Sequence, residues 1–146
     1  MIKGSCLCGG VRFEIDQAAG PLELCHCNRC RKVSGSAFLA GLYVLTKDFR
    51  ITDGVELINT YEAPILRTPP PYRAYFCRRC GSPLPNPHPQ LETMEIPAGL
   101  LDADPELKAD KHIFVDVKAP WFDIRDNLPQ YDLEKLMKLR KSEDPN

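Results

Sequence analysis

Seven cysteines in a chain of 146 residues, gathered into three tight groups, constrain this sequence more than any other feature. The groups are Cys6-Leu7-Cys8, Cys25-His26-Cys27-Asn28-Arg29-Cys30 and Cys77-Arg78-Arg79-Cys80-Gly81. An odd number cannot form a fully paired disulfide framework within one chain. In a reducing compartment, close cysteine pairs read as metal ligands or redox groups instead. The third group has the form of a zinc knuckle. Two thiolates two residues apart bend around a metal, and the glycine after them permits the tight turn. A tetrahedral ion there needs two more ligands, which Cys6 and Cys8 can supply. Such a four-thiolate site ties residue 6 to residue 80, closes a long loop and would contribute strongly to folding.

The middle group then keeps three thiols of its own, Cys25, Cys27 and Cys30. Three protein ligands with an open fourth position is the arrangement of catalytic rather than structural zinc. An open position can take water or a substrate thiol and lower its pKa, giving a nucleophile at neutral pH. Two alternatives stand beside this reading: His88 or His112 completes the site and closes it, or the site is a metal-free reactive dithiol. His26 lies between two ligands and is expected in a supporting or surface role. Arg31, not histidine, follows Cys30, so the group is not a c-type haem signature. Arg29, Arg31, Lys32, Arg73, Arg78 and Arg79 crowd the cysteines. They form either a solvated face that offsets thiolate charge or a dock for the carboxylates of a small anionic substrate.

Composition narrows the classes further. The length suits one domain, and 43% hydrophobic with 27% charged residues is ordinary for a folded soluble protein. The formal charge is −1, and seven thiolates with two divalent ions would take it to about −4. That balance disfavours nucleic acid, whose affinity comes mainly from neutralised phosphates. The longest apolar run, residues 38–45, is broken by Gly41 and too short to span a bilayer. No charged start leads into an apolar stretch, so the cytoplasm is the expected location.

Periodicity points to a mainly β chain. Val11, Phe13 and Ile15 alternate with Arg12 and Glu14. Residues 38–45 read as a buried central strand, and 55–61, 73–76, 94–97 and 112–117 as further strands. Short strands with frequent turns suggest a sandwich or folded sheet rather than a βαβ fold. Residues 28–34 can make a turn or two of helix. Residues 132–141 are the best helix, capped by Asp132, with Leu133, Leu136, Met137 and Arg140 on one face. The 14 prolines concentrate in 64–71 and 83–89, which hold eight of them and read as extended solvent-facing loops beside Cys77 and Cys80. Trp121 and Phe122 read as core anchors or as pocket lining.

Gly4-Ser5-Cys6-Leu7-Cys8-Gly9 with Val11 and Phe13 resembles the opening of the glutathione-dependent formaldehyde-activating enzyme family, which includes centromere protein V. Cys25-His26-Cys27-Asn28-Arg29-Cys30-Arg31 with Gly35-Ser36 resembles the family's second block, and residues 76–84 its third. Residues 97–102 and 112–115, with Trp121, resemble its C-terminal half. The likeness spans residues 2–131 and implies one all-β, Mss4-like domain over 1–131, with 132–146 a tail forming a short helix. It implies structural zinc on Cys6, Cys8, Cys77 and Cys80, and a second zinc on the catalytic Cys25, Cys27 and Cys30. The implied activity is a carbon–sulfur lyase's: condensing formaldehyde with glutathione to S-hydroxymethylglutathione. The neighbouring Arg29, Arg31 and Arg73 would bind substrate. Expected partners are a small thiol such as glutathione and an aldehyde; a homo-oligomer is allowed, and neither nucleic acid nor membrane is expected. The prolines at 69–71, 83, 85, 87 and 89 are distinctive, and loops they stiffen could change the substrate. Two other classes compete: a zinc-stabilised binding module with both cysteine groups closed, and a thiol redox protein using Cys27 and Cys30.

Overall fold

The computed structural model describes residues 1–66, 69–85 and 90–143. His88, Pro87 and Pro89 therefore lie outside the described residues, as do the last three residues of the tail. The described elements are mainly strands: β1 (Ile2–Ser5), β2 (Arg12–Ile15), β3 (Leu22–Cys25), β4 (Leu39–Leu45), β5 (Phe49–Asp53), β6 (Ile58–Glu62), β7 (Arg73–Cys77), β8 (Pro83–Leu84), β9 (Thr93–Pro97), β10 (Lys111–Ile113) and β11 (Gln130–Tyr131). Two helices join them, α1 (Asn28–Ser34) and α2 (Leu133–Glu143). The chain divides into two compact units, Met1–Gly20 with Leu42–Leu107, and Pro21–Gly41 with Lys108–Asn146. None of the described helices is long and apolar enough to cross a membrane.

In the first unit β1, β2 and β5 form one antiparallel sheet and β6, β7 and β8 another. The alternation read from residues 11–15 holds: Val11, Phe13 and Ile15 are buried, and Arg12 is exposed. The strand expected over 55–61 begins later. Gly54 takes a left-handed φ of 75°, a short 3-10 turn covers Val55–Leu57, and only Ile58–Glu62 is extended. A Cβ at Gly54 would overlap the Gly10 carbonyl oxygen, so no other residue fits that turn without a shift. The proline segment after Cys80 is not solvent-facing throughout. Pro83 and Leu84 pair with Phe76 and Tyr75 at a sheet edge, where a missing amide is tolerated, and Leu84 and Pro85 are buried.

The second unit is built on parallel pairing. β10 lies between β3 and β11, setting His112 opposite Leu24 and Ile113 opposite Cys25. The strand expected over 112–117 stops at Ile113, because Phe114 adopts a left-handed φ of 56° and ψ of 42° and a 3-10 turn follows. Asp132 caps α2 as expected, its Oδ1 accepting the Lys135 amide at 2.8 Å. The buried face differs slightly from the one expected. Leu136 is fully buried and Leu133 and Leu139 are half-buried, but Met137 faces solvent at 47% exposure. Arg140 reaches the buried carboxylate of Glu23 on β3 at 3.3 Å, and Lys111 of β10 approaches the same group at 3.5 Å. Met137 follows Leu136 by about 100° around the helix and so falls outside the buried stripe centred on Leu136.

Leu136 packs on Cys25 and Ile113 at the centre of the second unit. Leu136→Ala is expected to lower unfolding free energy by about 2–5 kcal/mol, read from the urea midpoint. Gly54→Ala forces a Cβ into a left-handed turn, and calorimetry should show a loss of about 1–3 kcal/mol or more.

Candidate metal centres

The first cysteine group sits in the turn after β1. The Gly9 amide donates to the Cys6 carbonyl at 2.8 Å, and the Val11 amide donates to Cys6 Sγ at 3.3 Å. The second knuckle follows β7 in the same way: the Gly81 amide donates to the Cys77 carbonyl at 2.8 Å, with Gly81 at φ 75°. Ser82 joins the two turns. Its Oγ accepts the Leu7 amide at 2.9 Å and lies 3.4 Å from Cys80 Sγ. The four sulfurs of Cys6, Cys8, Cys77 and Cys80 lie within 4.8 Å of one another. Cys6 and Cys8 Sγ are 3.5 Å apart, and Cys8 and Cys77 Sγ are 3.9 Å apart. Bond lengths of about 2.3 Å in a tetrahedron require sulfur separations of about 3.8 Å. The donor set and spacing therefore fit one tetrahedral thiophilic ion.

The other three sulfurs belong to the second unit. Cys25 ends β3, held opposite Ile113, and the next amide, of His26, donates to the Ile113 carbonyl at 3.0 Å. Cys27 is the N-cap of α1, its Sγ accepting the Cys30 amide at 3.4 Å, and one turn of helix sets Cys30 beside it. Sγ of Cys25, Cys27 and Cys30 all lie within 4.8 Å of one another. Leu136 and Ile113 pack against Cys25, with Phe114 and Tyr131 completing an apolar wall. Among the described residues no fourth cysteine, histidine or carboxylate joins them. His112 is thus not the closing ligand, and His88 lies outside the described residues.

Crowded thiols resist shared ionisation. Hydrogen bonds from the Cys25 and Cys30 thiols, aided by amides of Cys30 and Arg29, hold Cys27 down to about 2. Donating to Cys27 pushes Cys25 up to about 12, and donation to Cys25 and Cys27 raises Cys30 as well. The three thiols thus compete for ionisation. A divalent ion lets all three ionise. Both clusters can hold metal ions.

The remaining expected residues separate. Arg31 of α1 donates from Nη2 to the Val117 carbonyl at 3.3 Å, and Arg29 sits half-buried between Cys27 and Cys30. Arg73 belongs to the first unit, where Nε meets Glu62 at 2.9 Å across β6 and β7. Lys32, Arg78 and Arg79 are exposed. Trp121 is no core anchor; it is 70% exposed after the turn at Pro120, while Phe122 turns inward to 6.0 Å from the His26 ring and 5.7 Å from Phe38. His26 is not a surface residue: it is fully buried. Its Nε2 is 2.7 Å from Nδ1 of buried His112, whose Nε2 is 2.9 Å from Asp126 Oδ2. Burial, with the charges of His112, Lys118 and Arg31 adding to it, lowers the His26 pKa to about 4. Sequence reasoning missed both Ser82 and this histidine chain, because neither has a spacing signal; partners 75 and 86 residues apart meet only through the fold.

The chain is similar to proteins of one known family. The family model described as glutathione-dependent formaldehyde-activating enzyme matches residues 1–117. A Halomonas elongata protein, provisionally named as a glutathione-dependent formaldehyde-activating enzyme, is 31% identical over 127 residues, spanning 85% of this chain and 81% of its own length. A Rhodobacter sphaeroides protein of known crystal structure shares the fold, with a TM-score of 0.52 at 23% identity, covering 70% of this chain and 89% of that one. Every cysteine lies within the stretch that the family model matches, and the chain belongs to the glutathione-dependent formaldehyde-activating enzyme family.

Proposed function

We propose that this chain joins a thiol to an aldehyde, glutathione to formaldehyde, giving the S-hydroxymethyl adduct, and runs the reverse cleavage as a carbon–sulfur lyase. The supporting observation is the cluster of Cys25, Cys27 and Cys30, three convergent thiols with no fourth ligand among the described residues. The family and its Halomonas elongata member supply the substrate names. In the forward direction the thiol sulfur forms a bond to the carbonyl carbon. The carbonyl π pair moves to oxygen, which takes up the proton the thiol gives away.

Cys6, Cys8, Cys77 and Cys80 hold a structural zinc in this reading, and Cys25, Cys27 and Cys30 hold a second one. When bound there, zinc supplies a Lewis acid that lowers the pKa of the incoming thiol. The chain does the rest. The wall of Ile113, Phe114, Tyr131 and Leu136 limits water beside the sulfurs and strengthens charge interactions there. Arg29 and Arg31, carried on the helix that holds Cys27 and Cys30, offer forked contacts to glutathione carboxylates. Arg73, which pairs with Glu62 in the first unit, is the third candidate for those carboxylates.

Elemental analysis of the purified protein should give two zinc ions per chain. Cys27→Ser is expected to leave one, and to lower the rate of adduct formation by about a hundredfold or more. Full metal content and full activity in that variant would end this account. Cys77→Ser acts on the other site, so circular dichroism should show loss of folded protein rather than a folded inactive chain.

A further inference from the structure

His26 stands between two of the three clustered cysteines and points away from them. Side chains alternate in direction along a strand, so Cys25 and its partner Ile113 share one face of the sheet while His26 and His112 share the other. Two bonds tie His26 to β10. Its amide donates to the Ile113 carbonyl at 3.0 Å, and its ring Nε2 lies 2.7 Å from Nδ1 of His112. Ring Nδ1 has no hydrogen-bond partner, so among the described residues the His112 contact is the one hydrogen bond on this buried imidazole. His112 is restrained in turn. Its Nε2 lies 2.9 Å from Asp126 Oδ2, and Asp126 Oδ1 accepts the Leu128 amide at 2.9 Å. These bonds, the one from His112 foremost, hold the Asp126 carboxyl below the usual carboxylate range, and it accepts on both oxygens. His112 therefore donates from Nε2. Phe38 packs against both imidazoles, 5.4 Å from the His26 ring and 6.3 Å from the His112 ring.

Apolar rings would fill the same space without the cost of burying polar nitrogens. What the hydrogen bonds add is direction. A residue held by its amide and by its ring to the same neighbouring strand cannot turn about the strand axis. The side chains on either side of it, Cys25 and Cys27, are then kept toward the opposite face. We infer that Asp126 and His112 are positioning residues for the three-thiol site, and that through His26 they hold Cys25 and Cys27 in the orientation that binds a metal ion. This rests on the reading that the cluster takes a second zinc, and it adds the residues that set the affinity there. Asp126 is half-exposed and lies beyond the residues that the family model matches, so the control comes from the chain's own C-terminal portion.

The test is competition for zinc between the full-length protein and a chelating dye. The binding step absent from Cys27→Ser belongs to the three-thiol site. Asp126→Asn keeps the shape of the side chain but leaves one acceptor for two donors, the Leu128 amide and His112. It is expected to weaken zinc at the three-thiol site by about tenfold or more and to leave the four-cysteine site unchanged. Ile15→Val, a change in the core of the first unit, should leave the three-thiol affinity as it is. Equal weakening of both sites in Asp126→Asn, or a like loss in Ile15→Val, would mark a general loss of stability and overturn the inference. Nitrogen NMR of the unaltered protein labelled at histidine checks the chain itself. His112 Nε2 should carry a proton, and a bare Nε2 there would also overturn the inference. If the unaltered protein takes up a single ion, the proposed function fails and this inference with it. If it takes up two and Asp126→Asn holds the second as tightly, this inference alone fails.

Discussion

Thiol sulfurs held within 4.8 Å of one another cannot all ionise unless a cation shares their charge, and this chain gathers its seven cysteine sulfurs into two such groups. The rest of the architecture follows from holding them there. In the first unit, two glycine-assisted turns present one pair of thiols each, and Ser82 links the turns through the Leu7 amide. That arrangement joins residues 6 and 80 in a chain whose short strands offer only modest cores. In the second unit, one strand end and one helix start present three thiols. Hydrogen bonds among those thiols hold Cys27 low and its two neighbours high, a competition that a shared cation would relieve.

The second unit shows how packing serves the site. Parallel pairing of β3 with β10 sets Cys25 against Ile113 and carries His112 beside His26. The helix α2 then seals the cluster with Leu136 and ties itself to β3 through Arg140 and Glu23. The family match ends at residue 117, so Asp126 and Leu136 are supplied by chain beyond it. The protein's own C-terminal portion thus completes the surroundings of the three-thiol cluster.

Much of the local structure was legible beforehand because it depends on neighbours in sequence. Alternation gave β2, the Asp132 cap gave the start of α2, and residues 38–45 gave β4 to within one residue. Errors fell where single backbone angles or distant partners decide. The left-handed Phe114 ends β10 three residues after it starts, a conformation that a β-favouring aromatic does not advertise. Trp121 and Phe122 are adjacent and both apolar, but only the latter turns inward. Met137 loses its expected place to Leu139 because the buried stripe of the helix centres on Leu136, about 60° from Leu139 and about 100° from Met137.

The sequence alone determined the division of the cysteines, since spacing of one or two residues limits which thiols can share an ion, and glycines at 9 and 81 mark the turns. It also determined the mainly β class, through period-two alternation and frequent turn residues. Tertiary structure decided what surrounds the thiols. Burial of His26, its pairing with His112 and the orphaned Nδ1 depend on contacts 86 residues apart, which no local pattern encodes. Arg29, Arg31 and Arg73 look alike as basic residues, and the fold alone separates them: two ride on the helix that bears the thiols, and the third pairs with Glu62 in the other unit.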